Sequence, residues 1–317
     1  MLVQVRCSTI CGKQMGEILG HCGEDKYLPH LLGHEGCGKV LKFGPGVTKV
    51  KEGDQVVMHW RKGVGIEAKP PKYKWKDRTV GAGPVATFAD HAVVSENRLT
   101  PTGVDVQPWV GSLMGCAVTT ALGLINNEAQ LKIGQSIAIA GAGGVGLNVV
   151  QGAAMVSAYP IIAIDKMTAK LHIAGTMGAT HMLDSRITGG DTVNAIRQIV
   201  GSKGVDVFVD CTGSPLVISD GLEAVAPGGK LILVGQPSVN TDVVLHDFRR
   251  NYCGKTILDS QGGLTNPTID IPRYLELYRQ GKLVLNILIS ESFPLTDINK
   301  AIAAARNGSS GRIALEM

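Results

Sequence analysis

The feature that most constrains this chain is a glycine-rich turn set between a short apolar strand and a helix-length segment. Ser136–Ala140 reads SIAIA, and Gly141-Ala142-Gly143-Gly144-Val145-Gly146 follows it directly. Each glycine of the GxGxxG spacing answers a separate steric demand. Gly141 permits a tight turn, Gly143 lets the backbone approach a pyrophosphate, and Gly146 lets the helix pack against the strand. The helix start, with Gly144 and Val145 in its first turn, faces the phosphates with open N–H groups and a favourable dipole. A bare GxGxxG carries little weight. Here the strand and the helix that the motif requires stand on both sides of it.

The alternation continues downstream. Ile161–Asp165, Val205–Asp210, Lys230–Gly235 and Thr256–Leu258 read as buried strands, separated by helix-length segments that include Asp191–Val200 and Ser214–Val225. Buried apolar strands alternating with helices predict an α/β class, with a doubly wound parallel sheet. Asp165 ends the strand that follows the glycine turn. A carboxylate there accepts hydrogen bonds from adenosine ribose hydroxyls and repels a 2′-phosphate, which predicts NAD rather than NADP. A cap on the following helix is the alternative use of Asp165, and Lys166 beside it would soften the discrimination.

The first hundred residues follow a different pattern. Val3–Val5, Gly38–Phe43, Gln55–Met58 and Ala92–Ser95 are short β-type runs punctuated by Gly44-Pro45-Gly46 and Glu52-Gly53-Asp54. They predict a small, mostly β barrel with irregular loops. The pattern changes near Thr119, and the tail adds a helix around Ile271–Gln280, another at Asp297–Arg306 and a closing β-type run at Arg312–Leu315. At 317 residues the chain has room for two cores. No apolar run is long enough to span a bilayer, so a soluble, cytoplasmic protein is expected, without membrane contact. Seven cysteines without a regular framework read as reduced thiols, some of them metal ligands. A net charge of +4 is too mild to predict nucleic-acid binding. The stretch 61–76 is the exception in charge, with six Lys/Arg and one Glu. Such a run defaults to a solvated face.

Cys11, His34 and Cys116 remain as potential soft ligands. Two thiolates and an imidazole suit zinc, and three protein ligands with a fourth open position form a catalytic arrangement. Taken singly, Cys116 reads equally as a small buried hydrophobe and His34 as a hydrogen-bonded loop histidine. Their surroundings carry a resemblance. Val5-Arg6-Cys7-Ser8-Thr9-Ile10-Cys11-Gly12, Leu32-Gly33-His34-Glu35-Gly36, Gly53-Asp54-Gln55-Val56 and Gly115-Cys116-Ala117-Val118-Thr119-Thr120 resemble the medium-chain zinc-dependent alcohol dehydrogenases. So do the glycine turn, Phe293-Pro294-Leu295, Ile298-Asn299-Lys300-Ala301 and Gly311-Arg312. The resemblance runs from residue 3 to the end with the motifs in order.

That resemblance implies a GroES-like catalytic domain at 1–117, to which 263–317 returns, and a Rossmann NAD-binding domain at 118–262. It implies that Cys11, His34 and Cys116 hold the catalytic zinc, with Glu35 beside the metal. Thr120 and Val234 would line the nicotinamide site, Lys170 would assist Asp165 at the ribose, and Arg312 would approach the pyrophosphate. Trp60, with His59 next to it, falls where the family places a substrate-pocket side chain, although core packing is an equal reading of Trp60. The implied activity is hydride transfer between NAD and a primary or secondary alcohol, a polyol or a sugar derivative. A bound zinc would act as a Lewis acid on the reacting oxygen. A homodimer or homotetramer is implied as well. The alternatives are a zinc-free reductase of the same superfamily and a catalytically silent NAD-binding protein.

The chain departs from the family in three places. The lobe with four closely spaced cysteines that holds a structural zinc in many relatives is replaced by the cysteine-free basic stretch, which predicts a single zinc. The hydroxyl residue and the aspartate expected after the first zinc cysteine are Lys13 and Gln14 here. Lys13 is open to three uses: a proton relay, a contact to an anionic substrate, or a solvated side chain. With the basic stretch after Trp60, it raises the expectation of an anionic substrate. Finally, only ten residues precede Cys11, where the family has a few dozen forming opening strands. A shortened N-terminal region is therefore expected.

Overall fold

The structure is a computed structural model. It describes all residues except 104, 188–190 and 309–310, and the side chains of 248 and 250 also lie outside the description. The chain divides into two compact units, one formed by Met1–Thr119 with Thr265–Met317 and the other by Thr120–Leu264. The fold class is α/β, with a parallel sheet in one unit and a largely antiparallel sheet in the other.

In the Thr120–Leu264 unit, six strands lie side by side in the order His181–Asp184, Ile161–Asp165, Ile137–Ala140, Val205–Asp210, Val225–Leu233 and Thr256–Asp259. Every neighbouring pair is parallel. Strands of this kind are covered on both faces, which explains continuous apolar runs such as IAIA and IIAID. The core they share includes Ala138, Ile162, Ile196, Phe208, Leu222 and Leu231. Phe208 is 1% exposed, and replacing it with Ala would cost roughly 3–5 kcal/mol. Ile137–Ala140 has a sequence-earlier neighbour on neither side: 161–165 flanks it on one edge and 205–210 on the other. Strand order reverses there, and the crevice of such a sheet opens at the carboxyl ends of those strands. The glycine turn begins at that end.

The strand His181–Asp184 escaped the sequence reading because it is only four residues long and half of them are polar. The strand expected at 230–235 starts earlier, at Val225, and ends at Leu233.

In the other unit, Leu2–Ile10 is the central strand. It pairs along one edge with Glu35–Lys42. Its other edge is shared: Leu2–Gln4 meets His91–Val93, and Cys7–Ile10 meets Arg312–Glu316. The sheet extends through Gln55–His59 to Leu99–Pro101 on one side and to Ile289–Pro294 on the other. The strand Arg312–Glu316 therefore brings the end of the chain beside its beginning, and Arg312 beside the strand that leads to Cys11. The basic stretch 61–76, expected as a solvated loop, is folded in part. Lys72–Trp75 and Arg78–Gly81 form a two-stranded hairpin. The first of these strands alternates lysine with aromatic rather than polar with aliphatic residues, and the second is only four residues long.

Among the described residues, no single helix is long and apolar enough to cross a membrane.

Candidate functional site

Cys11, His34 and Cys116 come together in the Met1–Thr119/Thr265–Met317 unit. One donor atom from each lies within 4.8 Å of the other two. Cys11 follows the end of the central strand and precedes the helix Gly12–Ile18. His34 sits just before the paired strand that opens at Glu35. Cys116 lies between the helices Pro108–Met114 and Ala117–Gly123. Cys11 and His34 meet because the end of Leu2–Ile10 lies beside the start of its antiparallel partner Glu35–Lys42, and Cys116 joins them from the break between two helices.

The donors carry perturbed acidities. The hydrogen bond from Cys116 holds Cys11 well below the usual thiol range, aided against burial by Arg312 and His34. Its partner Cys116 is pushed well above that range by the same bond and by burial. One proton between two sulfurs is the physical content of this pair. Burial drives His34 towards neutrality, but the Cys11 sulfur outweighs it and the net shift is upward. Glu35, fully buried, is raised by desolvation in spite of Arg312.

The donor set fits zinc on two observations. Nε2 of His34 is buried without a hydrogen-bond partner, an expensive state unless something else binds it. Two sulfurs and an imidazole form a soft set suited to zinc, and a tetrahedral ion with Zn–S bonds of about 2.3 Å spaces its ligands by roughly 3.8 Å, within the span seen here.

Gln14 is a member of this site that the sequence reading named only as a departure. Its side-chain oxygen accepts from the Cys11 backbone N–H at 3.2 Å, and its amide nitrogen is hydrogen-bonded to Nδ1 of His34. The signal was present in the sequence: a Gln three positions into the helix after its capping residue is the spacing of a capping box. Arg312 is 6% exposed; it donates to the Ile10 carbonyl at 3.0 Å and lies 3.3 Å from the Glu35 carboxylate. Its guanidinium pKa is raised because Cys11 and Glu35 overcome the cost of burial. These bonds tie it to the strand that leads to Cys11 and to the buried carboxylate next to His34.

Lys13 precedes Gln14 in the helix Gly12–Ile18. Its ammonium lies 3.3 Å from the Cys22 sulfur and 3.9 Å from Glu17, with 41% of the side chain exposed. His59 is 1% exposed. Its Nδ1 lies 2.7 Å from the Arg61 carbonyl and its Nε2 3.0 Å from the Thr100 hydroxyl. Burial depresses its pKa to about 4. Both ring nitrogens are engaged, so His59 is a packed core histidine rather than a wall of an open pocket. Trp60 is half-buried, with the Arg61 guanidinium 5.7 Å from its ring centre and its carbonyl accepting from Arg98.

In the other unit the glycine turn has the geometry its spacing demands. Gly141 has φ +93°, open only to glycine without strain. A Cβ on Gly146 would stand 1.9 Å from the Gly141 carbonyl oxygen, whereas one on Gly143 would meet nothing within 4 Å. Gly143 caps the helix Gly144–Met155, and no protein atom stands within 4 Å of where its Cβ would lie. Asp165 braces the turn: its carboxylate accepts from Ala142 N–H at 2.8 Å and from Met167 N–H at 2.9 Å. One oxygen thus ties down the turn and the other the approach to the next helix, and each retains lone pairs. Lys170 lies half-buried in the helix Thr168–Thr176, Thr120 is buried in Ala117–Gly123, and the backbone N–H of Val234 donates to the Asp210 carbonyl at 2.8 Å.

Known proteins share both units. Residues 1–104 match the alcohol dehydrogenase GroES-like domain, and residues 144–279 match the zinc-binding dehydrogenase domain. The chain is 31% identical over 307 residues to geraniol dehydrogenase of Castellaniella defragrans, covering 89% of this chain and 82% of that protein. It is 29% identical over 341 residues to S-(hydroxymethyl)glutathione dehydrogenase of Synechocystis, covering 98% of this chain and 91% of that one. The crystal structure of benzyl alcohol dehydrogenase from Acinetobacter calcoaceticus superimposes with a TM-score of 0.89 at 28% identity, over 100% of this chain and 91% of the other. With 31% identity to a relative over most of its length and both domain types in order, the chain belongs to the zinc-binding alcohol dehydrogenase family and is an alcohol oxidoreductase.

Proposed function

We propose that this chain is an NAD-linked alcohol dehydrogenase with one catalytic zinc, held by Cys11, His34 and Cys116. The observation that carries the reading is the convergence of those three donor atoms within 4.8 Å, with the buried Nε2 of His34 left without a hydrogen-bond partner. Zinc would supply Lewis acidity towards the substrate oxygen, and the nicotinamide would accept the hydride. The chain's own residues do the rest. Cys11 and Cys116 supply the negative charge that retains the metal, and Gln14 fixes the plane of the His34 ring. Arg312 and Glu35 form a buried pair behind the sulfurs that keeps the local charge in balance. Removing one partner of such a pair costs about 3–5 kcal/mol.

The same proposal places the dinucleotide at Gly141, Gly143, Gly144, Val145 and Gly146. Asp165 and Lys170 would contact the adenosine ribose, and Thr120 and Val234 the nicotinamide. The absence of any protein atom within 4 Å of a Cβ at Gly143 and the remaining lone pairs of Asp165 support it. In the forward direction an alcohol carbon loses a hydride to NAD, the hydroxyl proton passes to solvent, and a carbonyl product and NADH are formed. Homo-oligomeric assembly and a reducing compartment complete the proposal; the free thiols of Cys7, Cys11 and Cys116 suit the latter.

Formation of NADH is the test, on chain whose zinc and nucleotide content have been measured. NADH production from primary alcohols, abolished by a chelator and restored by zinc, is the expected result. Undiminished turnover in metal-free chain would mean a zinc-free reductase. Bound NAD without turnover of any alcohol would mean a silent binding protein.

A further inference from the structure

Gln14 is 2% exposed and touches the backbone of one donor residue and the ring of another. Its amide has two unlike ends, a carbonyl oxygen that accepts and an NH2 group that donates. The Cys11 backbone N–H, which can only donate, reaches the oxygen at 3.2 Å. The NH2 end is therefore the one against Nδ1 of His34, and Nδ1 has to accept. A neutral imidazole carries a single ring proton. With Nδ1 accepting, that proton sits on Nε2, the buried nitrogen without a hydrogen-bond partner.

A metal needs the opposite arrangement. Nδ1 is taken by Gln14, so Nε2 is the atom left for coordination, and a coordinating nitrogen has to be bare. The ring proton then belongs on Nδ1, where it meets the NH2 of Gln14, donor against donor. Turning the amide over relieves that contact and creates another, because its NH2 then faces the Cys11 N–H. Either way a buried donor loses its partner, a cost that lowers an equilibrium constant by about five- to a hundredfold. A carboxylate at position 14 would meet no such conflict, since both of its oxygens accept. Acceptors of that kind are the usual partners of the second nitrogen of a metal-bound histidine.

We propose that Gln14 is a positioning residue that locks His34 in the tautomer protonated at Nε2 and thereby lowers the affinity of the site for zinc. The consequence for zinc rests on the metal reading of the site, whereas the lock follows from two hydrogen bonds of Gln14 alone. The lock also fixes the sign of a substitution. A side chain that merely supported the ligand would loosen the metal when lost; loss of the Gln14 amide should tighten it.

The test compares the full chain with its Gln14→Met and Gln14→Glu variants, each checked for folding by circular dichroism. Zinc affinity is measured by competition with a chelator. In parallel, the imidazole nitrogens of the zinc-free chains are read by 15N NMR at alkaline pH, with the His34 signals identified by their loss in His34→Ala. Gln14→Met, which changes no charge, should tighten zinc by about fivefold or more, and Gln14→Glu by about ten- to a hundredfold. The His34 proton should sit on Nε2 in the unaltered chain and on Nδ1 in Gln14→Glu. Zinc left unchanged or loosened by Gln14→Met, or a proton on Nδ1 in the unaltered zinc-free chain, overturns the lock and leaves the metal reading intact. No zinc bound by any of the three chains, with the proton on Nε2 in the unaltered chain and on Nδ1 in Gln14→Glu, overturns the metal reading and upholds the lock.

Discussion

In the Thr120–Leu264 unit, the residues that shape the glycine turn lie between positions 141 and 146, and Asp165 joins them from the next strand. In the other unit, Cys11, His34, Cys116, Glu35 and Arg312 are drawn from nearly the whole length of the chain. The first site is built from backbone and is made by what is missing, namely side chains on glycine. The second is built from buried polar side chains, each needing a partner. A backbone site tolerates the loss of one side chain and fails when one is added. A buried polar site behaves the opposite way, because removing one member strands the others.

The largest effect should follow from removing a sulfur. Cys116→Ser or Cys11→Ser is expected to lower kcat/KM by about a thousandfold or more, several kcal/mol of lost metal-assisted stabilisation. NAD affinity, measured by fluorescence titration, should stay within about threefold of the unaltered chain, since the nucleotide turn lies in the other unit. Loss of NAD affinity in step with zinc would break the comparison.

Next comes pH. His59 titrates at about 4 in the folded chain against roughly 6.5 when unfolded. The unfolded chain therefore takes up the extra proton between those values. The stability held by neutral His59 is intact above about pH 6.5 and is lost as pH falls to about 4, some 3 kcal/mol in all. Urea unfolding monitored from pH 7 to pH 4 should show this slope, and His59→Gln should flatten it. An unchanged slope would mean that His59 is not the buried group responsible.

A smaller effect, about 2 kcal/mol, is expected at the nucleotide turn. Gly143→Val, which meets no protein atom on its first carbon, should leave thermal stability nearly unchanged yet weaken NAD by about tenfold or more. Asp165→Gly should weaken NAD by a similar factor through loss of charge-assisted hydrogen bonds, and should narrow the gap to NADP. A large fall in melting temperature with NAD binding retained would show that the turn is structural only.

The smallest effect is expected at Lys13. Its ammonium lies against Cys22 and the partly exposed Glu17, and such contacts near the surface are worth about 0–1 kcal/mol. Lys13→Met should change kcat/KM less than about threefold across pH 6–9. A tenfold loss that deepens at low pH would restore Lys13 as a proton relay.

These contrasts also explain what could be read in advance. The parallel sheet was legible because strands covered on both faces must be continuously apolar, as in Ile161–Asp165 and Val205–Asp210, which the structure reproduces at both ends. The three donor residues were legible through the motifs around them. Gln14 was visible only as a deviation, since its task of holding His34 depends on a neighbour twenty positions away. Arg312 was assigned from the family to a phosphate, and its pairing with Glu35 depends on a strand pairing that joins the two ends of the chain. Trp60 and the basic stretch stood out in the sequence, whereas the lining of an apolar cavity in the same unit comes from Leu28–Leu32 and Pro70–Val85, segments without periodicity. Cavities formed by irregular segments leave no repeating pattern in a sequence.

The central claim is that two sulfurs and one imidazole hold a single metal ion. Zinc quantified by mass spectrometry on the purified chain, alongside the Cys11→Ser, His34→Ala and Cys116→Ser variants, tests it most directly. One zinc per chain, falling towards zero in each variant while the fold persists by circular dichroism, is the predicted outcome. Zinc retained at full stoichiometry in all three variants, or no zinc bound by the unaltered chain after dialysis against the metal, would contradict it.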